Sequence, residues 1–140
     1  QFLERAQRLE RAVGSIDLIF GHNDLLAANF IDDGARLWLI DWDYAGWGTP
    51  LFDLGGLSSN NSFTARENEL MLSEYFGVPA NDALRRKLQA MLAASLLRES
   101  MWSMVSELTS AIDFDYVSYT EENLRRFEAA FVAFEEMEKT

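Results

Sequence analysis

Four polar side chains in the first third of the chain have the types and spacing that phosphoryl transfer requires. His22, Asp24 and Asn29 follow the pattern His-x-Asp-x-x-x-x-Asn, and Asp41 lies twelve positions after Asn29. Enzymes that transfer a phosphoryl group orient a hydroxyl at the phosphate and hold Mg²⁺ on oxygen ligands, because positioning and charge stabilise the transition state. Asp24 is the candidate acceptor of the hydroxyl proton, and Asn29 and Asp41 are candidate Mg²⁺ ligands.

The alternative explanation is that Asp24, Asn29 and Asp41 are turn residues. Asp and Asn are common in turns because their side chains hydrogen-bond the local backbone. That explanation does not account for the apolar segments on both sides of the motif. A loop after a strand, then a hairpin, then a strand ending at an Asp is the setting of kinase chemistry, so we favour the catalytic interpretation.

Hydrophobic periodicity predicts the elements that position these side chains. A first helix is expected to stop at Gly14, because apolar residues recur at helical spacing before it. The apolar run 16–20 is predicted to be a strand that leads into the His-x-Asp loop. Two further strands, 30–31 and 36–40, flank the turn sequence Asp32-Asp33-Gly34 and are expected to form a hairpin.

The remainder of the chain is predicted to be helical, after glycines and Pro50 interrupt any regular pattern between residues 44 and 50. Thr120 is the expected N-cap of the last helix, which carries an apolar stripe. The predicted fold class is α+β and predominantly helical, with a small β-hairpin that carries the functional loops, in a single domain over residues 1–140. Candidate helices span 51–57, 66–76, 82–112 and 121–138.

Composition narrows the possible functions. Lys and Arg number 12 against 23 Asp and Glu, and the formal net charge of −11 makes nucleic acid an unexpected partner. With no cysteine and one histidine, any metal is expected on oxygen ligands. Because the sequence has neither a long apolar run nor a signal peptide, we expect a cytoplasmic protein without membrane insertion.

Three segments together resemble the choline/ethanolamine kinase family, a branch of the aminoglycoside-phosphotransferase and protein-kinase-like fold. The resemblance implies the C-terminal lobe of that fold, with ATP as phosphate donor. It also implies Asp24 as catalytic base and Asn29 and Asp41 as the residues that bind Mg²⁺ and, through it, the nucleotide. The segments are Gly21–Asn29, Leu39–Gly46 and Phe52–Gly55.

Three further residues of these segments have expected roles around the catalytic loop. His22 belongs to the catalytic segment and occupies a position that usually braces the loop. Asp53 is expected on a helix behind the loop, where its carboxylate can accept backbone N–H bonds from it. Asp43 stands where the family often has Glu, and it is a candidate either for direct metal binding or for a role facing the substrate.

Aromatic residues of the C-terminal half bear on the substrate. Aromatic faces bind quaternary ammonium groups well, because the ring quadrupole attracts a cation without N–H donors. The resemblance matches Trp102 and Tyr119 to the choline pocket, with Tyr116 as a weaker candidate; ordinary core packing is the alternative. Glu99 stands where eukaryotic choline kinases often carry a second tryptophan. A carboxylate also suits a primary ammonium, so ethanolamine remains open.

The expected function is ATP- and Mg²⁺-dependent phosphorylation of a small amino alcohol, with choline ahead of ethanolamine. Another small alcohol, such as an aminoglycoside, a sugar or homoserine, is the alternative substrate. A non-catalytic domain that binds a small molecule or a protein is the alternative class. Neither a Gly-rich phosphate loop nor an ATP-pairing lysine precedes the motif. We therefore expect an N-terminal ATP-binding lobe elsewhere in a longer protein, and no activity from this chain alone.

Overall fold

The computed structural model describes residues 1–139, in which helices predominate. The predicted α+β, mainly helical class is confirmed. The helices are α1 (Phe2–Val13), α2 (Pro50–Asn61), α3 (Ala65–Phe76), α4 (Asp82–Thr109) and α5 (Tyr116–Glu138). The strands are β1 (Ile19–Gly21), β2 (Phe30–Asp32), β3 (Leu37–Leu39) and β4 (Gly46–Gly48), and a short 3-10 turn occupies Ala27–Asn29.

The strands form two small antiparallel pairs. β2 and β3 make the predicted hairpin, with Phe30 opposite Leu39. β1 pairs with β4, so that Phe20 lies opposite Trp47. The expectation that residues 44–50 lack regular structure was wrong, because β4 is stabilised by a partner distant in sequence rather than by local strand propensity.

Helix α4 lies at the centre of the helical part and contacts α1, α2 and α5. Gly55 in α2 permits a close approach, since a Cβ atom at this position would lie 2.8 Å from the backbone of Met91 and Leu92. Three phenylalanines of α5 pack against α4 together with the buried side chains of α1. This core comprises Leu9, Val13, Ala90, Ala93, Leu96, Leu97, Phe127, Ala130, Phe131 and Phe134.

The start of α5 differs from the prediction. The helix begins at Tyr116, and Asp115 is its N-cap, with a side chain that accepts a hydrogen bond from the Ser118 N–H. Thr120, the predicted cap, is buried within the helix. Its hydroxyl oxygen lies 2.7 Å from that of Ser103 on α4. The Thr120 hydroxyl thus joins α5 to α4 instead of capping the helix.

None of the helices within residues 1–139 combines the length and the apolar character needed to cross a membrane.

Candidate active site

The loop 22–26 follows β1 and is held from behind by Asp53. The Asp53 carboxylate accepts the backbone N–H of His22 at 2.8 Å and that of Asn23 at 2.6 Å. This confirms the predicted contact between Asp53 and the loop. Gly21 leaves space for the carboxylate, because a Cβ atom there would lie 2.8 Å from Asp53 Oδ2. Asn23 adopts a left-handed backbone conformation with φ of 63°, which the Asp53 contact helps to hold.

His22 connects this loop to the end of β3. The ring is buried, and Nε2 lies 2.8 Å from the Ile40 carbonyl oxygen. Since a carbonyl only accepts, Nε2 carries the proton, and Nδ1 accepts the Asp24 N–H at 3.3 Å. Trp42 packs edge-on against the ring, with centroids 4.8 Å apart. Because both ring nitrogens contact backbone, the geometry is that of a brace for Asp24.

The hairpin places Asn29 beside Ile40, the residue before Asp41. The Ile40 N–H donates to the Asn29 carbonyl oxygen at 3.0 Å, and Asp41 follows directly in a left-handed conformation. The buried Asn29 side chain donates from Nδ2 to the Asp24 carbonyl oxygen at 3.0 Å. Its Oδ1 is therefore the side-chain atom suited to a metal ion. Asp43 is exposed, two residues beyond Asp41.

The side-chain oxygens of Asn29, Asp41 and Asp43 suit Mg²⁺ better than a metal ion whose ligands all come from protein. Within residues 1–139, no group of three or more His, Cys, Asp or Glu side chains could hold a metal ion. One amide oxygen and one or two carboxylates are hard oxygen ligands, and Mg²⁺ usually completes such a set with water and substrate phosphates.

A cavity of 510 Å³ opens beside Asp24, between loop 22–26, the C-terminal half of α4 and the first turn of α5. We call it the aromatic cavity. The structure brings the candidate residues Asp24, Glu99, Trp102 and Tyr119 together here, and Asp43 is not among the residues that line the cavity. Its lining is completed by Leu26, Tyr44, Arg98, Ile112, Phe114 and Tyr116.

The aromatic side chains of this cavity pack edge to face. Trp102 and Tyr116 have ring centroids 6.0 Å apart, and Phe114 lies 5.0 Å from Tyr116 and 5.5 Å from Tyr119. Trp102 remains 46% exposed, so it is not a core residue. Edge-to-face packing holds the rings in place while leaving faces for a ligand.

The Glu99 carboxylate lies in the wall of this cavity and is engaged on two sides. It accepts the Tyr119 hydroxyl at 2.8 Å, and its other oxygen lies 3.6 Å from the Arg98 guanidinium. Burial of the phenol, and secondly the bond to Glu99, raise the pKa of Tyr119 to about 12.

Sequence reasoning did not select Arg98, Phe114 or Tyr44. Arg98 is adjacent to Glu99 and one helical turn before Trp102, so helical spacing alone could have placed it near the cavity. Phe114 lies in the segment that joins α4 to α5. Tyr44 comes from the loop before β4 and lies in the segment Leu39–Gly46 that carries the family resemblance, but its spacing does not indicate that it reaches the cavity.

The sequence matches the phosphotransferase enzyme family (APH) over residues 1–94. The chain therefore belongs to this family. It is 28% identical over 122 residues to ethanolamine kinase 2 of Mus musculus, a match that covers 73% of this chain and 32% of that protein.

Solved structures resemble the chain over most of its length. A choline/ethanolamine kinase family protein from Mesorhizobium loti has a TM-score of 0.82 and 29% identity, covering 92% of this chain and 44% of that one. Choline kinase LicA from Streptococcus pneumoniae has a TM-score of 0.79 and 26% identity, and the match covers 93% of this chain and 46% of that one. A LicA structure in complex with AMP has a TM-score of 0.69 and 25% identity, with 91% and 45% covered.

These likenesses confirm the kinase-like fold and the resemblance to choline/ethanolamine kinases. The chain spans about a third of the length of ethanolamine kinase 2. It spans less than half of each of these three solved chains.

Proposed function

We propose that this chain supplies the catalytic loop and the substrate cavity of a longer kinase, which transfers a phosphoryl group from Mg²⁺-ATP to the hydroxyl of a small amino alcohol. The observation that carries the proposal is the aromatic cavity, in which Asp24 shares one space with Trp102, Tyr119 and Glu99. The same cavity thus offers aromatic rings and a carboxylate for the cationic group of a substrate and Asp24 as acceptor of its hydroxyl proton. The named kinases among the relatives support this chemistry.

Asp24 is the proposed catalytic base. Its carboxylate borders the cavity, and its backbone is fixed by His22 and Asn29. In the reaction the substrate oxygen forms a bond to the γ-phosphorus, the bond from phosphorus to the ADP oxygen breaks, and Asp24 takes the hydroxyl proton. His22 would act through the position of Asp24 rather than on the proton itself.

Asn29 Oδ1 and the Asp41 carboxylate would hold Mg²⁺ and thereby position the nucleotide. When bound, the ion neutralises charge on the phosphates of ATP. Asp43 would help to hold the ion or the phosphates from the solvent side. The structure of LicA with AMP supports nucleotide binding by this fold.

Within the cavity, choline is the favoured substrate and ethanolamine the second. The Glu99 oxygens already have Tyr119 and Arg98 as partners. A primary ammonium, which needs hydrogen-bond acceptors, would compete for them, whereas a trimethylammonium group needs only ring faces and a nearby negative charge. The similarity to ethanolamine kinase 2 keeps ethanolamine as the specific alternative.

The test is release of ADP by the longer protein with Mg²⁺-ATP and choline, ethanolamine, homoserine or an aminoglycoside. Asp24→Asn should reduce turnover by about 10²-fold or more, whereas Asp17→Asn, at an exposed position outside the site, should not. Trp102→Ala should raise KM for choline about tenfold and leave KM for ATP unchanged. Turnover with only another alcohol would reject the choline proposal, and no turnover with any of them would favour a binding domain.

The isolated chain offers a second test of the proposal that an N-terminal ATP-binding lobe lies elsewhere in the longer protein. We expect no ATP-dependent product from residues 1–140 alone. Detectable product would contradict the need for that lobe.

A further inference from the structure

We propose that Arg98 is a positioning residue that holds loop 22–26 against the aromatic cavity. The inference rests on the proposed kinase function, because it concerns the residue named there as the base. Arg98 lies in the middle of α4 and lines the cavity beside Glu99. Its guanidinium group contacts the loop, the cavity carboxylate and helix α2.

The first contact is with the peptide group just before Asp24. Arg98 Nη1 donates to the Asn23 carbonyl oxygen at 2.8 Å. The N–H of Asn23 is held on the other side by Asp53 from α2. Asn23 has a left-handed conformation, which few residues other than glycine adopt and which asparagine tolerates better than most. Contacts from two helices thus hold Asn23 in the conformation that directs the chain into Asp24.

The second contact is electrostatic and involves both carboxylates of the cavity. Arg98 Nη2 lies 3.6 Å from Asp24 Oδ1 and 3.6 Å from Glu99 Oε2. Two carboxylates and one guanidinium leave a single net negative charge, which suits one substrate cation. Without Arg98, Asp24 and Glu99 would repel each other, and Asp24 would lose its partner on α4.

The third contact is with an aromatic ring of α2. The central carbon of the guanidinium lies 5.5 Å from the centroid of the Phe52 ring on α2. A planar fork can donate to Asn23 with one nitrogen and pair with the carboxylates through the other, whereas a lysine supplies one point charge. Lysine at this position should therefore preserve the charge but only part of the positioning.

The experiment compares Arg98→Met and Arg98→Lys in the longer protein, with Arg85→Met as the matched control. Arg85 is also on α4, but it pairs with Glu69 and Asp82 outside the cavity. Arg98→Met should lower kcat about tenfold or more while KM for ATP changes less than about twofold, because a small displacement of the base slows the chemical step. Arg98→Lys should recover part of kcat. A kcat for Arg98→Met within about twofold of that of Arg85→Met would overturn the proposal.

Hydrogen exchange gives a readout that does not depend on activity. The backbone amides of residues 22–24 should exchange faster in Arg98→Met than in the parent protein or in Arg85→Met, with Arg98→Lys between them. Equal exchange in all variants would overturn the positioning role. If the parent protein phosphorylates no amino alcohol, the proposed function fails, and the exchange comparison still decides whether Arg98 holds the loop. Should Arg98→Met fail to fold, the lysine variant carries both comparisons.

Discussion

The Tyr119 hydroxyl donates a hydrogen bond to the Glu99 carboxylate at 2.8 Å. Glu99 lies on α4 and Tyr119 on α5, so the bond joins the two longest helices at the wall of the aromatic cavity. Burial of the phenol is the largest cause that raises the pKa of Tyr119 to about 12, and Glu99 is the second. The protonated phenol is thus the form that the folded state favours.

The raised pKa of Tyr119 predicts a change in stability at high pH. A tyrosine has a pKa of about 10 in an unfolded chain. Because folding raises this pKa to about 12, the stabilisation is complete below pH of about 10 and is lost as the pH rises through about 12. Titration of tyrosinate absorbance should find a tyrosine with a pKa of about 12. Glu99→Gln should lower the pKa of that group, and Glu74→Gln on α3 is the control. An unchanged titration in Glu99→Gln would contradict the assignment.

Asp53→Ala should destabilise the chain and abolish turnover of the longer protein. The substitution removes the acceptor of two backbone N–H groups in loop 22–26. Charge-assisted hydrogen bonds contribute about 1.5–3 kcal/mol each, so we expect the free energy of unfolding to fall by at least about 2 kcal/mol. Urea denaturation measures this change, with the exposed Asp17→Ala as control. Equal urea midpoints for the two variants would show that the hydrogen bonds between Asp53 and the loop do not stabilise the fold.

Two adjacent glycines of α2 allow a matched test of how closely α2 packs against α4. A Cβ atom at Gly55 would meet the α4 backbone at 2.8 Å, whereas one at Gly56 would meet only Ser95 Oγ at 3.6 Å. We expect Gly55→Ala to cost about 1–3 kcal/mol. Gly56→Ala should be neutral or stabilise by up to about 1 kcal/mol, because alanine favours helix. Thermal or urea unfolding of both variants distinguishes them, and similar stabilities would argue against the close approach.

Thr120→Val should weaken the connection between α4 and α5. The threonine hydroxyl contacts Ser103, which is fully buried, and donates to Glu107 at 2.8 Å. Valine would remove the hydrogen bond to Glu107 and the contact with Ser103, whose hydroxyl keeps the Ser100 carbonyl oxygen as its acceptor. We therefore expect a cost of about 1 kcal/mol. Thr109→Val, at the exposed end of α4, should change stability by less than about 0.5 kcal/mol. If Thr120→Val were as stable as this control, the hydroxyl contact would have no energetic role.

The sequence by itself determined the elements whose signals are local. The apolar runs 16–20, 30–31 and 36–40 and the turn sequence Asp32-Asp33-Gly34 predicted the loop and the hairpin, because strand and turn signals act over a few positions. The segments that resemble the choline/ethanolamine kinases predicted the kinase family that the comparisons confirmed. The catalytic and metal-binding roles assigned to residues of these segments stay predictions.

Only the tertiary structure decided which distant residues meet. Strand β4 forms because β1 lies beside it, and Thr120 is buried because Ser103 faces it from α4. Likewise, Arg98 reaches Asn23 across 75 positions of sequence. Such contacts depend on how the helices approach one another. Their energies arise from burial and charge pairing between distant segments, and neither segment's own sequence indicates which partner it will contact.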